Sequence, residues 1–163
     1  MSAVPDEPMR KLQRIQRLCQ KEAAGLERVA ARLFAVPVTG QRLAALDTDD
    51  ALSERIDAFA ARFSRLQDAI TDKLLPAYFE LVQEPPRPVL EMLDRAERLG
   101  LIGSADAFLA ARKLRNRLVH EYVEDRDELA ANLGVAHSFI PQLTFALDSV
   151  AQAIARLQQR VPE

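Results

Sequence analysis

Apolar residues recur at helical spacing along most of the chain. The longest stripe lies in the C-terminal third and consists of Leu129, Leu133, Ala136, Ile140, Leu143, Leu147, Val150, Ile154 and Leu157. Steps that alternate between four and three residues predict one long helix, over about 127–159. Pro141 falls inside this helix and is expected to kink it, because proline removes a backbone hydrogen bond.

Two more stripes predict long helices in the first half of the chain. One predicts a helix from Asp49 or Asp50 to about Val82, bent by Pro76, and its apolar members are Leu52, Ile56, Phe59, Phe63, Leu66, Ile70 and Leu74. The other predicts an N-terminal helix over about 8–34, and its inward members are Leu12, Ile15, Cys19, Leu26, Val29 and Leu33.

Two shorter helices are predicted between these long ones. The first follows the proline-rich stretch 85–88 and ends near Leu99, where Gly100 suits a C-terminal cap. The second begins after Ser104, a favourable N-cap residue, and extends to about Tyr122. Since no alternating strand pattern occurs, we expect an all-α protein, a bundle of about five helices.

The stretch from Val36 to Asp50 is the candidate boundary within the chain. It holds Pro37, Gly40 and a run of acidic residues, which are typical of a connection between helices. We therefore expect an N-terminal helix with its connecting loop over 1–48 and a helical bundle domain over 49–163. The pattern does not define how the N-terminal helix packs.

Composition and charge narrow the class of protein. The chain has 163 residues, of which 48% are hydrophobic and 28% charged, and this balance excludes intrinsic disorder. The formal net charge of −2 indicates that any nucleic-acid site is local. Asp6 and Glu7 are unlike a signal peptide, and no apolar stretch is long enough to span a bilayer. We expect a soluble cytoplasmic protein without a membrane partner.

The helix predicted after Ser104 carries the residues with the most chemical interest. On a helical wheel Arg115 lies within an apolar stripe that includes Ala111 and Leu118. A buried guanidinium is costly without a partner, so Arg115 must find an anion. Asn116 and His120 share another face, where the amide can hold the imidazole in one tautomer.

The same helix carries the one compact basic patch beside a histidine. Arg112, Lys113 and Arg117 surround Arg115, and they are candidates for RNA contacts. Arginine binds phosphate with a planar fork, and histidine can move protons near neutral pH. The set favours cleavage of a phosphodiester by its own neighbouring hydroxyl group, although a solvated basic face has the same pattern. No metal site or cofactor is predicted, because no carboxylate cluster or histidine pair has ligand spacing.

Residues 115–122 match the R-N-x-x-x-H-x-Y signature of HEPN domains. The chain resembles their HepT-like branch, the ribonuclease toxins of HEPN/MNT toxin–antitoxin systems. The flanking stretches 62–68 and 95–104 also resemble that branch, and the likeness covers about 50–155. The N-terminal residues before it match nothing in the family.

The resemblance implies a HEPN-like fold and a metal-independent endoribonuclease. Arg115 and His120 would form the catalytic pair, and Asn116 would support the site. Tyr122 would be the residue that a partner nucleotidyltransferase, the MNT-type antitoxin, modifies with AMP to silence the toxin. Family members are homodimers in which the paired motifs line a cleft. Two apolar stripes as long as these also predict apolar surface left over for a second subunit.

Two other functions fit the same residues. The chain can be a non-catalytic substrate- or nucleotide-binding partner subunit of a nucleotidyltransferase, which would use the same basic pocket. It can also be a helical interaction protein without site chemistry. A cationic strip on the N-terminal helix is either a guide for RNA or a solvated face, and it consists of Arg10, Arg14, Arg17 and Lys21.

Overall fold

The computed structural model describes residues 6–120 and 124–160. Within these ranges there are seven α-helices and one π-helical turn, and there is no strand. In chain order the helices are α1 (Asp6–Leu33), α2 (Gly40–Leu43), α3 (Asp50–Ala69), α4 (Leu75–Leu81), α5 (Val89–Arg98), α6 (Ala105–His120) and α7 (Arg126–Gln159). The predicted all-α bundle is confirmed, and the five predicted helices occur in the predicted order.

Side-chain caps set the beginnings of the helices that form the candidate site. The carboxylate of Asp49 accepts a hydrogen bond from the N–H of Leu52 at 3.0 Å, which starts α3. The hydroxyl of Ser104 accepts from the N–H of Ala107 at 3.1 Å, which starts α6. Gly100 has φ +72°, the left-handed conformation that the predicted C-terminal cap after α5 requires. The caps at Ser104 and Gly100 were predicted from the sequence and are confirmed, and α3 begins at Asp50, as one of the two predicted starts.

The long helix predicted through Pro76 is divided by a π-helical turn, Ile70–Leu74. The backbone N–H of Leu75 donates to the carbonyl of Ile70, one residue further back than in an α-helix. Pro76 then lies in the first turn of α4, where its missing N–H costs little. By contrast, α7 continues from Arg126 to Gln159 through Pro141.

Both long apolar stripes are covered within one chain. Every member of the stripe from Leu52 to Leu74 is buried, and so are the members of the α7 stripe from Leu133 to Ile154. The stripes therefore pack against each other and against α1 and α6 in one core cluster. The prediction that these stripes leave apolar surface over was wrong, because α1 and α6 cover what a smaller bundle would have exposed.

The N-terminal helix is part of this core. Leu12, Leu26 and Leu33 have no exposed surface, and α1 packs on α3, α4 and α7. The buried amide of Gln16 donates to the carbonyl of Leu147 on α7 at 2.8 Å. The core is thus continuous across the boundary that the sequence indicated near residue 48.

A short helix that the sequence analysis missed lies in the stretch expected to be a loop. Thr39 caps α2 by accepting from the N–H of Arg42 at 3.1 Å. The guanidinium of Arg42 in turn donates to the carbonyls of Leu33 and Val36, at 2.5 and 2.7 Å. Arg42 therefore closes the C-terminal end of α1, where carbonyl groups lack partners within the helix.

The proline-rich connection before α5 is held by ion pairs. Glu84 accepts hydrogen bonds from Arg95 at 2.8 Å and from Arg87 at 2.6 Å. The hydrogen bond from Arg95, with that from Arg87, lowers the pKa of the Glu84 carboxyl to about 2.

Among the helices of the described ranges, none has the length and apolar character needed to cross a membrane.

Candidate functional site

Helix α6 is held against α3 and α7 by a few buried side chains. Phe108 is 1% exposed, and its ring packs edge-on against Phe139 of α7 with centroids 5.2 Å apart. The buried amide of Gln67 on α3 donates to the carbonyl of Phe108 at 3.2 Å. These contacts fix the register of α6 against α3, so the residues that follow on each helix meet in one arrangement.

Arg115 lies one turn beyond Ala111, on the face of α6 toward α3. Its side chain is 24% exposed, and its Nη2 donates to Oδ2 of Asp68 on α3 at 2.5 Å. The prediction that Arg115 needs an anion is confirmed. Since Asp68 follows Gln67 directly in the chain, the amide that fixes the register of α6 also brings this carboxylate to Arg115.

Asn116 contacts Arg115 directly. Its Oδ1 accepts a hydrogen bond from Nη1 of Arg115 at 2.9 Å, so Asn116 and Asp68 hold the two ends of the guanidinium. The sequence analysis expected the Asn116 amide to orient His120. That expectation stays a prediction, because the His120 side chain is not among those described, and the structure shows Asn116 in contact with Arg115.

His120 is the last residue of α6, and its side chain is not among those described. Tyr122, the predicted site of modification, lies outside the described residues. The backbone of α6 is helical up to His120, and five residues of an ideal helix turn by about 140°.

The basic residues around Arg115 are exposed. Arg112, Lys113 and Arg117 face solvent, and no carboxylate of the described residues lies within 4.0 Å of them. The structure therefore places a cationic surface around a partly buried guanidinium. This arrangement can bind the backbone of a nucleic acid while Arg115 contacts one phosphate.

The guanidinium of Arg115 is oriented before any ligand binds. Arginine has five N–H donors, and the pair with Asp68 and Asn116 uses one on each Nη atom. Its Nε is buried and has no hydrogen-bond partner in the described part of the chain. A phosphate can take the remaining N–H of each Nη atom without breaking the contact with Asp68, and preorganised donors of this kind stabilise developing charge.

The second histidine, His137, makes contacts unlike those of the candidate site. His137 of α7 is exposed and stacks on Phe34, with ring centroids 3.9 Å apart and planes 7° apart. This stacking joins α7 to the residue that follows α1, so His137 has a packing role in the described structure. In the described residues no group of three or more His, Cys, Asp and Glu side chains has a geometry that could hold a metal ion.

Sequence reasoning missed Asp68 as a member of the site. Asp68 lies off the apolar stripe of α3, and no spacing within α3 indicates a partner on α6. The sequence showed only that Arg115 needs an anion as a partner. It did not indicate which residue supplies that anion.

The fold and site define an all-α bundle with an oriented arginine inside a basic surface. No protein-family model matches the chain, no curated protein matches it significantly, and no solved structure matches its fold significantly. The function is therefore argued from the residues of this chain.

Proposed function

We propose that the protein is a HEPN-type endoribonuclease, the toxin of a toxin–antitoxin pair. The observation that carries the proposal is Arg115, which Asp68 and Asn116 hold in place at the surface of α6. His120, the histidine of the same signature, lies on the same helix. A fixed guanidinium with a neighbouring histidine is what phosphodiester cleavage requires.

In the proposed reaction the 2′-hydroxyl of the RNA attacks the adjacent phosphorus and the 5′-oxygen leaves. A 2′,3′-cyclic phosphate and a free 5′-hydroxyl are the products. Arg115 stabilises the added negative charge on the phosphate oxygens, and His120 takes the proton from the nucleophile or gives one to the leaving oxygen. Arg112, Lys113 and Arg117 hold the backbone on either side of this phosphate.

The geometry favours a site assembled from two chains. Since an ideal helix turns by about 140° between positions 115 and 120, a single phosphate would meet Arg115 and His120 more easily if each came from a different subunit. The covered apolar stripes no longer argue for a dimer, so this angle and the family resemblance are its support. The proposal therefore includes a homodimer with the two α6 helices facing one cleft.

RNA incubated with the purified protein is expected to be cut in the presence of EDTA. The proposed mechanism needs no metal ion, so a chelator should leave the rate unchanged. Mass spectrometry of the fragments should find cyclic phosphate ends, which then open to 2′- or 3′-phosphates. Fragments with 5′-phosphate ends, or a rate that EDTA abolishes, would rule out this mechanism. Tight binding of RNA or nucleotides without cleavage would instead favour a non-catalytic partner subunit of a nucleotidyltransferase.

Control of the toxin is proposed to act through Tyr122. A nucleotidyltransferase antitoxin would attach AMP to its hydroxyl, adding negative charge and bulk seven positions from Arg115 in the sequence. That phosphate would compete with RNA for the guanidinium, because charge-assisted pairs are strong.

Tyr122→Phe should fold and retain ribonuclease activity, yet escape silencing by the co-expressed cognate nucleotidyltransferase. Phenylalanine keeps the aromatic ring and removes the hydroxyl to which AMP would be attached. Toxicity in cells and intact mass with and without the transferase measure the effect, and the wild-type protein should gain the mass of one or more AMP units. Silencing of the phenylalanine variant would show that control acts elsewhere.

A further inference from the structure

A groove between α1 and α3 borders the candidate site. Its volume is about 580 Å³, and Asp68, the residue that holds Arg115, is part of its lining. A ligand that occupies this groove therefore lies next to the carboxylate that orients the proposed catalytic arginine. We refer to this feature as the α1–α3 groove.

The floor of the α1–α3 groove is apolar. Ile15, Leu18 and Cys19 of α1 and Ala69 of α3 line it, and Leu18 is 58% exposed. Burial raises the pKa of the Cys19 thiol to about 11, so this thiol is neutral at physiological pH. Such a floor can contact the faces of a base and a ribose but offers no charge to them.

The rim of the groove has an excess of cations. Arg65 is paired with Glu22 at 3.3 Å, and Asp68 is paired with Arg115. The other cations of the lining are Lys21, Arg62 and Lys73. Asp72 is the one acidic residue of the lining outside those two ion pairs. Within the described ranges no carboxylate lies within 4.0 Å of these three side chains. The rim is therefore complementary to a polyanion.

Arg62 occupies a slot that exists because residue 25 is glycine. Gly25 is buried in the middle of α1, where glycine is unfavourable for the helix. A Cβ on this residue would overlap Nη1 of Arg62 and would lie 3.3 Å from its Cζ. The guanidinium thus lies directly against the backbone of α1. Its side chain is only partly exposed and has no anionic partner in the part of the chain that the structure describes.

We propose that the α1–α3 groove binds single-stranded RNA beside the phosphate that is cleaved, with Arg62 as a phosphate-binding residue. This inference rests on the proposed ribonuclease function and extends its substrate site onto the N-terminal helix. A nucleotide next to the cleaved phosphate stacks its apolar faces on Leu18 and Ile15, while its phosphate accepts a forked pair of hydrogen bonds from Arg62. Lys21 and Lys73 add long-range attraction at the rim.

Two substitutions test the role of Arg62 from opposite sides of the slot. Arg62→Gln removes the charge. Gly25→Ala keeps the arginine but displaces its guanidinium, since the new Cβ takes the space of Nη1, the movable end of a flexible side chain. Alanine also favours the helix over glycine, so the melting temperature of Gly25→Ala should not fall. A loss of RNA binding in this variant therefore cannot come from unfolding.

The measurement is fluorescence anisotropy of a labelled single-stranded RNA with His120→Ala protein, which should bind without cutting. Each of the two substitutions should raise the Kd about tenfold. The double variant should bind no more weakly than Arg62→Gln alone, because both changes remove the same contact. Arg62→Gln should also reduce the slope of log Kd against log salt concentration by about 0.7, the value for one phosphate of a single strand. Arg55→Gln, an exposed arginine of α3 that does not line the groove, is the matched control and should change the Kd by less than about twofold.

The outcomes separate this inference from the proposed function. RNA binding that is unchanged in Arg62→Gln or in Gly25→Ala, or weakened equally by Arg55→Gln, overturns the groove proposal, whereas wild-type RNA cleavage would still support the ribonuclease. Binding that depends on Arg62 without cleavage by the wild-type protein supports the groove and overturns the ribonuclease. A wild-type protein that neither binds nor cuts RNA overturns both.

Discussion

Arg115→Ala should lower the rate of RNA cleavage by about 10²–10³-fold, and His120→Ala should lower it by about 10²–10⁴-fold. Arg115 supplies fixed donors to a phosphate that gains charge during the reaction, and His120 moves the proton. The folded state should survive, because the side chain of Arg115 is already 24% exposed and Asp68, at 39%, can be hydrated in its absence. Initial rates on a labelled RNA, with circular dichroism as the check on folding, measure the effect.

Two further variants make this experiment specific. Arg117→Ala removes a neighbouring, exposed cation of the same helix and should weaken RNA binding with a small effect on the maximal rate. Asp68→Asn keeps a hydrogen-bond acceptor for Arg115 but removes the charge, so the rate should fall by about tenfold, less than in Arg115→Ala. If Arg115→Ala retains the wild-type rate, the proposed role of this arginine is wrong.

Phe108→Ala should lower the free energy of unfolding by about 3–5 kcal/mol, the cost of an aromatic side chain removed from a closed core. Phe108 is 1% exposed and joins α6 to Phe139 of α7 at the place where Gln67 of α3 binds its carbonyl. The substitution therefore leaves a cavity at the point that sets the position of α6. Urea denaturation followed by circular dichroism measures the loss.

Phe145→Ala is the matched control for this core substitution. The side chain of Phe145 on α7 is 48% exposed, so the same chemical change removes little buried surface and should cost less than about 1 kcal/mol. Equal losses in the two variants would mean that the bundle does not pack as described around Phe108.

Local sequence patterns predicted the helices well for physical reasons that act within a few residues. Apolar spacing placed five helices, and the caps at Ser104 and Gly100 occur as expected. The short helix α2 was missed, because it depends on Arg42 reaching back to the carbonyls of Leu33 and Val36. Four residues carry no periodicity of their own, so a pattern search finds nothing there.

The candidate site divides in the same way. The sequence placed Arg115 in an apolar stripe beside Asn116 and His120, and from this position alone it required an anionic partner. The choice of Asp68 depends on the packing of α6 against α3, which brings together residues 47 positions apart. No local sequence pattern predicts the pairing of residues so far apart in the chain, because the pairing follows from how three helices pack in one core.

The sequence by itself determined the all-α class, the positions of five helical segments, their buried faces and the basic surface around Arg115. These follow from side-chain polarity at fixed spacing and from the capping chemistry of individual residues. Only the tertiary structure decided that α1 belongs to the core, that both apolar stripes are covered within one chain, and that Arg62 lies against Gly25 in a groove beside Asp68. Such contacts depend on which helix faces meet and at what separation, and close packing across the whole bundle sets both.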